Sequence, residues 1–123
     1  MSFVPFEELR VFQMAERLAD DIWNRVLNWN IFAKDTVGKQ IVRAADSVGA
    51  NIAEGSGRLS KKDNRRFVKM SRGSLNETIY WLRRAEARNL LQKSEVEQLK
   101  QDANALARSL NAYLSSINPT TEH

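Results

Sequence analysis

The apolar residues of this chain recur at helical spacing, and each recurrence is bounded by capping residues. On a wheel of about 100° per residue, Leu9, Phe12, Ala15, Ala19, Ile22, Trp23, Val26, Leu27 and Trp29 share an arc of roughly 160°. Arg10, Arg17, Asp20, Asp21 and Asn24 lie mostly outside it, which predicts an amphipathic helix from about Phe6 to Asn28. A polar break, Asn30 to Lys34, leads to Asp35 and Thr36, either of which can cap the orphan amides of a second helix reaching Glu54. Val37, Ile41, Ala44, Val48 and Ile52 form one apolar stripe of that helix. Gly38, Ala45, Gly49 and Ala53 form a second, of small residues, so two neighbours can pack on it.

A third helix opens at Ser60-Lys61-Lys62-Asp63, an acidic variant of the capping box, and continues to about Asn89. Its buried face is Phe67, Val68, Ser71, Ser74, Leu75, Thr78, Ile79, Leu82 and Ala85. A fourth starts with the capping box Ser94-Glu95-Val96-Glu97 and repeats apolar residues at 96, 99, 103, 106, 110, 114 and 117, before Asn118-Pro119 stops it. Connections of about five residues make neighbouring helices antiparallel, so the expected fold is all-α, an up-down-up-down four-helix bundle forming one domain over residues 1–123, with a tail at 118–123.

Composition agrees, with two prolines and five glycines in 123 residues. There is no cysteine, hence no disulfide and no thiolate metal site. The start MSFVPFEELR has no basic segment leading into a continuous apolar run, and no stretch approaches the ~20 apolar residues that span a bilayer. The chain therefore reads as cytoplasmic, with no membrane partner.

Charge changes the picture more. The net charge of +4 is modest, but residues 58–72 carry seven basic side chains (Arg58, Lys61, Lys62, Arg65, Arg66, Lys69 and Arg72) against Asp63 alone. Both ends of the chain are net acidic. On the third helix Lys62, Arg65, Arg66, Lys69, Arg72, Asn76, Tyr80, Arg83 and Arg84 share an arc of roughly 120°, opposite the buried face. Such a stripe is either a solvated face or a polyanion-binding one. Few acidic residues stand at i+4 to neutralise it, its arginines suit bidentate phosphate contacts, and Tyr80 lies in line with them. Gly73 falls on the same face and would let a phosphate backbone or a second subunit come close.

Catalytic chemistry is poorly supplied. The single histidine is His123, so a carboxylate–histidine metal site and serine–histidine pairings are out of reach, and no cofactor is expected. Glu54 and Glu77 could face inward, but without histidine or cysteine they are better read as partners for Arg43 or Arg58. The chain therefore reads as not an enzyme. Gly55-Ser56-Gly57-Arg58 resembles a phosphate loop only superficially, because a helix and not a strand precedes it and neither phosphate-loop spacing occurs. The expectation is that Gly55 ends the second helix in the left-handed conformation and Gly57 eases the turn, with the amides of residues 61–63 as a minor anion contact.

The segments TVGKQIVRAADSVGANIAEGSGR and RFVKMSRGSLNETIYWLRRA resemble the four-helix-bundle proteins encoded by intervening sequences within bacterial 23S rRNA genes. That family also includes the accessory variability determinant proteins of diversity-generating retroelements. The resemblance covers about residues 7–115 and is carried by Asn51-Ile52-Ala53-Glu54-Gly55 with Gly57-Arg58, and by Gly73-Ser74-Leu75 with Glu77. It implies a homopentameric barrel and, for the retroelement members, a basic scaffold that binds nucleic acid and a reverse transcriptase. It also implies a structural role for Asn51, Glu54, Gly55, Gly57, Gly73, Ser74 and Glu77, with hydrogen bonds among Glu54, Arg58, Ser74 and Glu77 where helices two and three meet. Many relatives carry a proline before helix two, where this chain reads Phe32-Ala33-Lys34.

The resulting expectation is a non-catalytic homo-oligomer, a pentamer by resemblance, whose basic face binds RNA or DNA backbone. The alternative is a protein-interaction scaffold with an acidic partner and no nucleic-acid role.

Overall fold

The computed structural model describes residues 4–118, and among them there is no strand. A 3-10 turn, Phe6–Glu8, leads into α1 (Arg10–Val26). A helical lead-in, Ile31–Ala33, and a wide π turn, Lys34–Gly38, run without a break into α2 (Lys39–Ser56). Helices α3 (Lys61–Ala87) and α4 (Lys93–Ser116) complete a four-helix bundle in which α1 packs on α2 and α4, and α3 on α2 and α4.

Three expected boundaries move, each for a visible reason. The first helix begins at Arg10 because the chain is extended at Leu9, and the turn before it folds back so that the Phe6 ring packs edge-on against Phe12 at 4.9 Å. The second helical segment begins at Ile31 and not at Asp35 or Thr36, because Asn30 is the cap: its side-chain oxygen accepts the Ala33 amide at 2.9 Å. The Thr36 hydroxyl instead donates to the Phe32 carbonyl at 2.7 Å, inside the wide turn where the Lys39 amide reaches back to Lys34. The fourth helix begins two residues early. Gln92 is its cap and Glu95 its third residue, accepting the Gln92 amide at 2.9 Å.

Glu95 also receives Arg25, which in turn bonds Asp21 at 3.2 Å, so one carboxylate ties the end of α1 to the start of α4. The Gln92 amide, with the Arg25 hydrogen bond and charge, outweighs burial and holds the Glu95 carboxyl below the ordinary glutamate range.

The core runs the length of the bundle. Every predicted apolar position of α4 from Val96 to Ile117 is buried, as are Ile41, Val48 and Ile52 of α2 and Val68, Leu75 and Leu82 of α3. Full burial of such side chains contributes about 1.5–3 kcal/mol each. On α1 the buried set is Val11, Ala15, Leu18, Ala19, Ile22 and Val26; Trp23 and Leu27, expected inside, each remain 52% exposed. They sit at one margin of the apolar arc.

The small-residue stripe of α2 faces α1, where a Cβ on Gly49 would lie 3.5 Å from the Phe12 ring and 3.8 Å from Ala15 Cβ. At the seam between α2 and α3 the buried Ser71 hydroxyl donates to the Val48 carbonyl at 2.7 Å. That bond satisfies a group whose burial alone would be costly. The expected left-handed Gly55 is corrected here: no described glycine has positive φ, and α2 continues through Gly55 to Ser56. Gly55 is needed for space. A Cβ there would lie 2.8 Å from Phe67 Cβ, 3.1 Å from the Asn64 carbonyl oxygen and 2.6 Å from Asn64 Oδ1, which is buried without a hydrogen-bond partner. Gly57, at φ −84° and ψ −3°, is an ordinary right-handed turn residue. Among the described residues the left-handed position is Asn89, at φ 59°, just after α3, where the Leu90 amide returns to the Ala85 carbonyl at 2.9 Å.

Candidate nucleic-acid interface

Helix α3 displays the basic row because its other face is sealed. Phe67, Val68, Ser71, Leu75, Thr78, Leu82 and Ala85 are buried, which leaves Lys62, Arg66, Lys69, Arg72, Asn76, Tyr80 and Arg83 exposed, with Arg65 and Arg84 half-buried. The residues predicted for the row do lie along one side of one helix. Their chemistry, however, divides near Lys69.

The arginines at the front of the row are engaged by the protein itself, while the Lys62 side chain is exposed and makes no ion pair with a described residue. The Arg65 guanidinium donates to the carbonyls of Leu114 at 2.6 Å and Ile117 at 2.8 Å. It thereby satisfies orphan acceptors at the end of α4, where the helix dipole also favours a cation. Arg66 bonds Asp63 at 3.2 Å, and Arg58 bonds Glu54 at 2.6 Å. Both guanidinium groups lie 4.7 Å from the centre of the Phe67 ring. The Asp63 amide, expected as a minor anion contact, is taken by the Ser60 hydroxyl at 3.0 Å. Lys62, Arg65, Arg66 and Lys69 still border a depression of about 430 Å³ beside Asp63.

Behind this, the side chains of Lys69, Arg72, Arg83 and Arg84 make no ion pair or hydrogen bond with any described residue. From Lys69 to Arg84 the helix advances about 22 Å. Gly73 lies between them, with nothing within 4 Å of where its Cβ would be. Unpaired guanidinium and ammonium groups in a row on an open surface can bind successive phosphates without reading bases.

Glu77 accepts Arg43 of α2 at 2.8 Å and the Trp81 indole N–H at 3.2 Å, so both glutamates have the arginine partners anticipated for them, Glu77 with Arg43 and Glu54 with Arg58. Asn51 donates to the Ser47 carbonyl at 2.9 Å within α2. The expected network among Glu54, Arg58, Ser74 and Glu77 forms only as its Glu54–Arg58 pair; Ser74 offers its backbone carbonyl to Thr78 at 2.9 Å. The bonds that do cross from α2 to α3 are Ser71 to Val48 and Arg43 to Glu77.

A family model for the 23S rRNA-intervening sequence protein matches residues 7–112, most of the chain. The chain belongs to that family. Among curated proteins none matches. Solved structures do, among them the crystal structure of a protein of unknown function from the S23 ribosomal protein family of Bacteroides thetaiotaomicron VPI-5482. It superposes with a TM-score of 0.76 at 24% identity, covering 85% of this chain and 97% of that one. The likeness establishes a shared fold.

In this 23S rRNA-intervening sequence family member a second region has the opposite electrostatic sign. Between α1 and α2, Ala15, Ala19, Gly49 and Ala53 floor a depression of about 350 Å³ rimmed by Glu16, Asp20 and Asp46. Burial and the neighbouring Asp20 charge push the Asp46 carboxyl up from its ordinary value. An acidic rim of this kind repels polyanions. Sequence reasoning missed the Arg65 cap, the Arg25–Glu95 tie and Phe67 as a platform for two arginines. The first two join residues 52 and 70 positions apart, and no local pattern signals them. The aromatic at 67 is buried as expected, and what the helical period does not reveal is that two guanidinium groups cover its ring.

Proposed function

We propose that this protein is a non-catalytic, homo-oligomeric helical scaffold that binds the backbone of RNA or DNA along α3. The observation that carries the reading is the row of four cationic side chains, Lys69, Arg72, Arg83 and Arg84, without partners among the described residues. The pairing of Glu54 and Glu77 with arginines supports a structural role for the carboxylates that came nearest to a catalytic pair. A homopentamer is the assembly we attach to this reading, as the resemblance implies. The exposed Trp23, Leu27, Ile31 and Phe32, clustered in sequence around the α1–α2 connection, supply apolar surface for association. A scaffold that repeats one basic face around an axis gains avidity and suits an accessory to an enzyme working on nucleic acid, such as a reverse transcriptase.

The test is affinity for unrelated RNA and DNA sequences across salt concentrations. With about four phosphates neutralised per face, the log–log slope against salt should be near −3 for a single strand, about −0.7 per phosphate. Absence of binding at ~50 mM salt would end the reading. Light scattering should give a particle five times the mass of the chain, and a monomer would remove the pentamer.

A further inference from the structure

Tyr80 is the one aromatic ring within the cationic row, and it is 52% exposed. It is also held in place. Its ring meets Trp81 edge to face at 5.0 Å and 76°; the Trp81 indole bonds Glu77, and Glu77 is bonded by Arg43 from α2. Asn76 stands one turn before it, and Arg83 and Arg84 one turn after it. Two turns before it, Gly73 leaves the helix surface bare, so a strand coming from Lys69 and Arg72 can lie down against the backbone before it reaches the ring.

We propose that α3 takes single-stranded nucleic acid, with Tyr80 as a stacking platform for one base and the flanking Lys69, Arg72, Arg83 and Arg84 holding the phosphates on either side of it. This deepens the nucleic-acid reading above and rests on it. In a duplex the base faces are sealed by their neighbours, so a ring in the middle of a phosphate-binding row gains nothing. In a single strand every base offers a face, and stacking is tolerant of sequence. The span of about 22 Å from Lys69 to Arg84 fits a short site of roughly four nucleotides. Stacking also leaves the 2′-hydroxyl unread, so RNA and DNA strands share the chemistry.

The test measures anisotropy of labelled twelve-nucleotide RNA and DNA single strands and of the corresponding duplexes, at one fixed low salt concentration, with the full chain. Tyr80→Ala and Tyr80→Leu should each weaken single-strand binding about tenfold, while Tyr80→Phe keeps it. Duplex affinity should not move in any of the three. Tyr80→Leu retains apolar bulk beside Trp81, so its loss would be read from the missing π face and not from unfolding, with helical circular dichroism as the check. Single-strand affinity that is unchanged in Tyr80→Ala and Tyr80→Leu, with Lys69→Glu/Arg72→Glu still weakening it, overturns the stacking proposal and leaves the basic face standing. No binding of any strand by the unsubstituted protein overturns both. Equal losses for strand and duplex also overturn the stacking proposal, because they assign Tyr80 to the shape of the face.

Discussion

In the first two turns of α3, Arg65 reaches across the end of the bundle to two carbonyls of α4, and Arg66 is held between Asp63 and the Phe67 ring. About five turns later, Arg83 and Arg84 carry the same charge and meet no described partner. The two halves differ in sequence mainly in what stands opposite them. The front half faces the end of α4 and the last turn of α2, both of which present groups a cation can satisfy. The rear half faces solvent. A count of basic residues therefore locates a charged helix, whereas the pairing of each residue locates the charge that is available to a ligand.

The strongest way to break the front half is at Gly55. Gly55→Val should cost several kcal/mol, on the order of 3–5, because the new side chain meets Phe67 Cβ and the Asn64 backbone, neither of which can rotate away. Thermal or urea unfolding would show it, and a stable Gly55→Val protein would mean that the α2–α3 turn is looser than described. Arg65→Ala comes next, at about 1.5–3 kcal/mol, since two carbonyls lose a charged donor. Its nucleic-acid affinity should fall by less than about threefold, because that charge is already committed. A large loss of affinity with no loss of stability would reverse the assignment.

Acid sharpens the comparison in another way, since lysines and arginines stay charged while the bundle's own ties loosen. Glu95 is held below its ordinary value in the folded protein, so its contribution is complete above the ordinary glutamate pKa and is lost as pH falls through the folded one. Glu95→Gln should therefore lower the melting temperature at pH 7, and the difference from the unsubstituted protein should narrow below about pH 4. A gap that stays constant with pH would show that the carboxylate's charge is not what ties α1 to α4. The smallest expected effect belongs to the rear half: Gly73→Ala meets open space in a helix interior and should stabilise by about 0.5–1 kcal/mol.

How much of this was legible in the sequence depends on the range of the interaction concerned. The α4 stripe from Val96 to Ile117 and the Ser60 cap were readable because helical period and capping act within a few residues. Gly55 was read as a chain terminator because a glycine at the end of a helix has two physical uses, and only the position of Phe67 and Asn64 separates them. Trp23 and Leu27 were assigned inward because a wheel gives an arc but not where neighbouring helices stop. For the interface, the row on α3 was visible from spacing alone. Its division was not, since Arg65 finds its partners 49 and 52 positions away.

The claim that usable charge sits in the rear half is tested most directly by removing equal charge from the two halves. Arg58→Gln/Arg66→Gln and Lys69→Gln/Arg72→Gln each delete two positive charges from exposed side chains of this region. Affinity for one single-stranded oligonucleotide, measured at a fixed low salt, should fall at least about tenfold for the Lys69/Arg72 variant and less than about threefold for the Arg58/Arg66 variant. Equal losses in the two, or the larger loss in the Arg58/Arg66 variant, would contradict it.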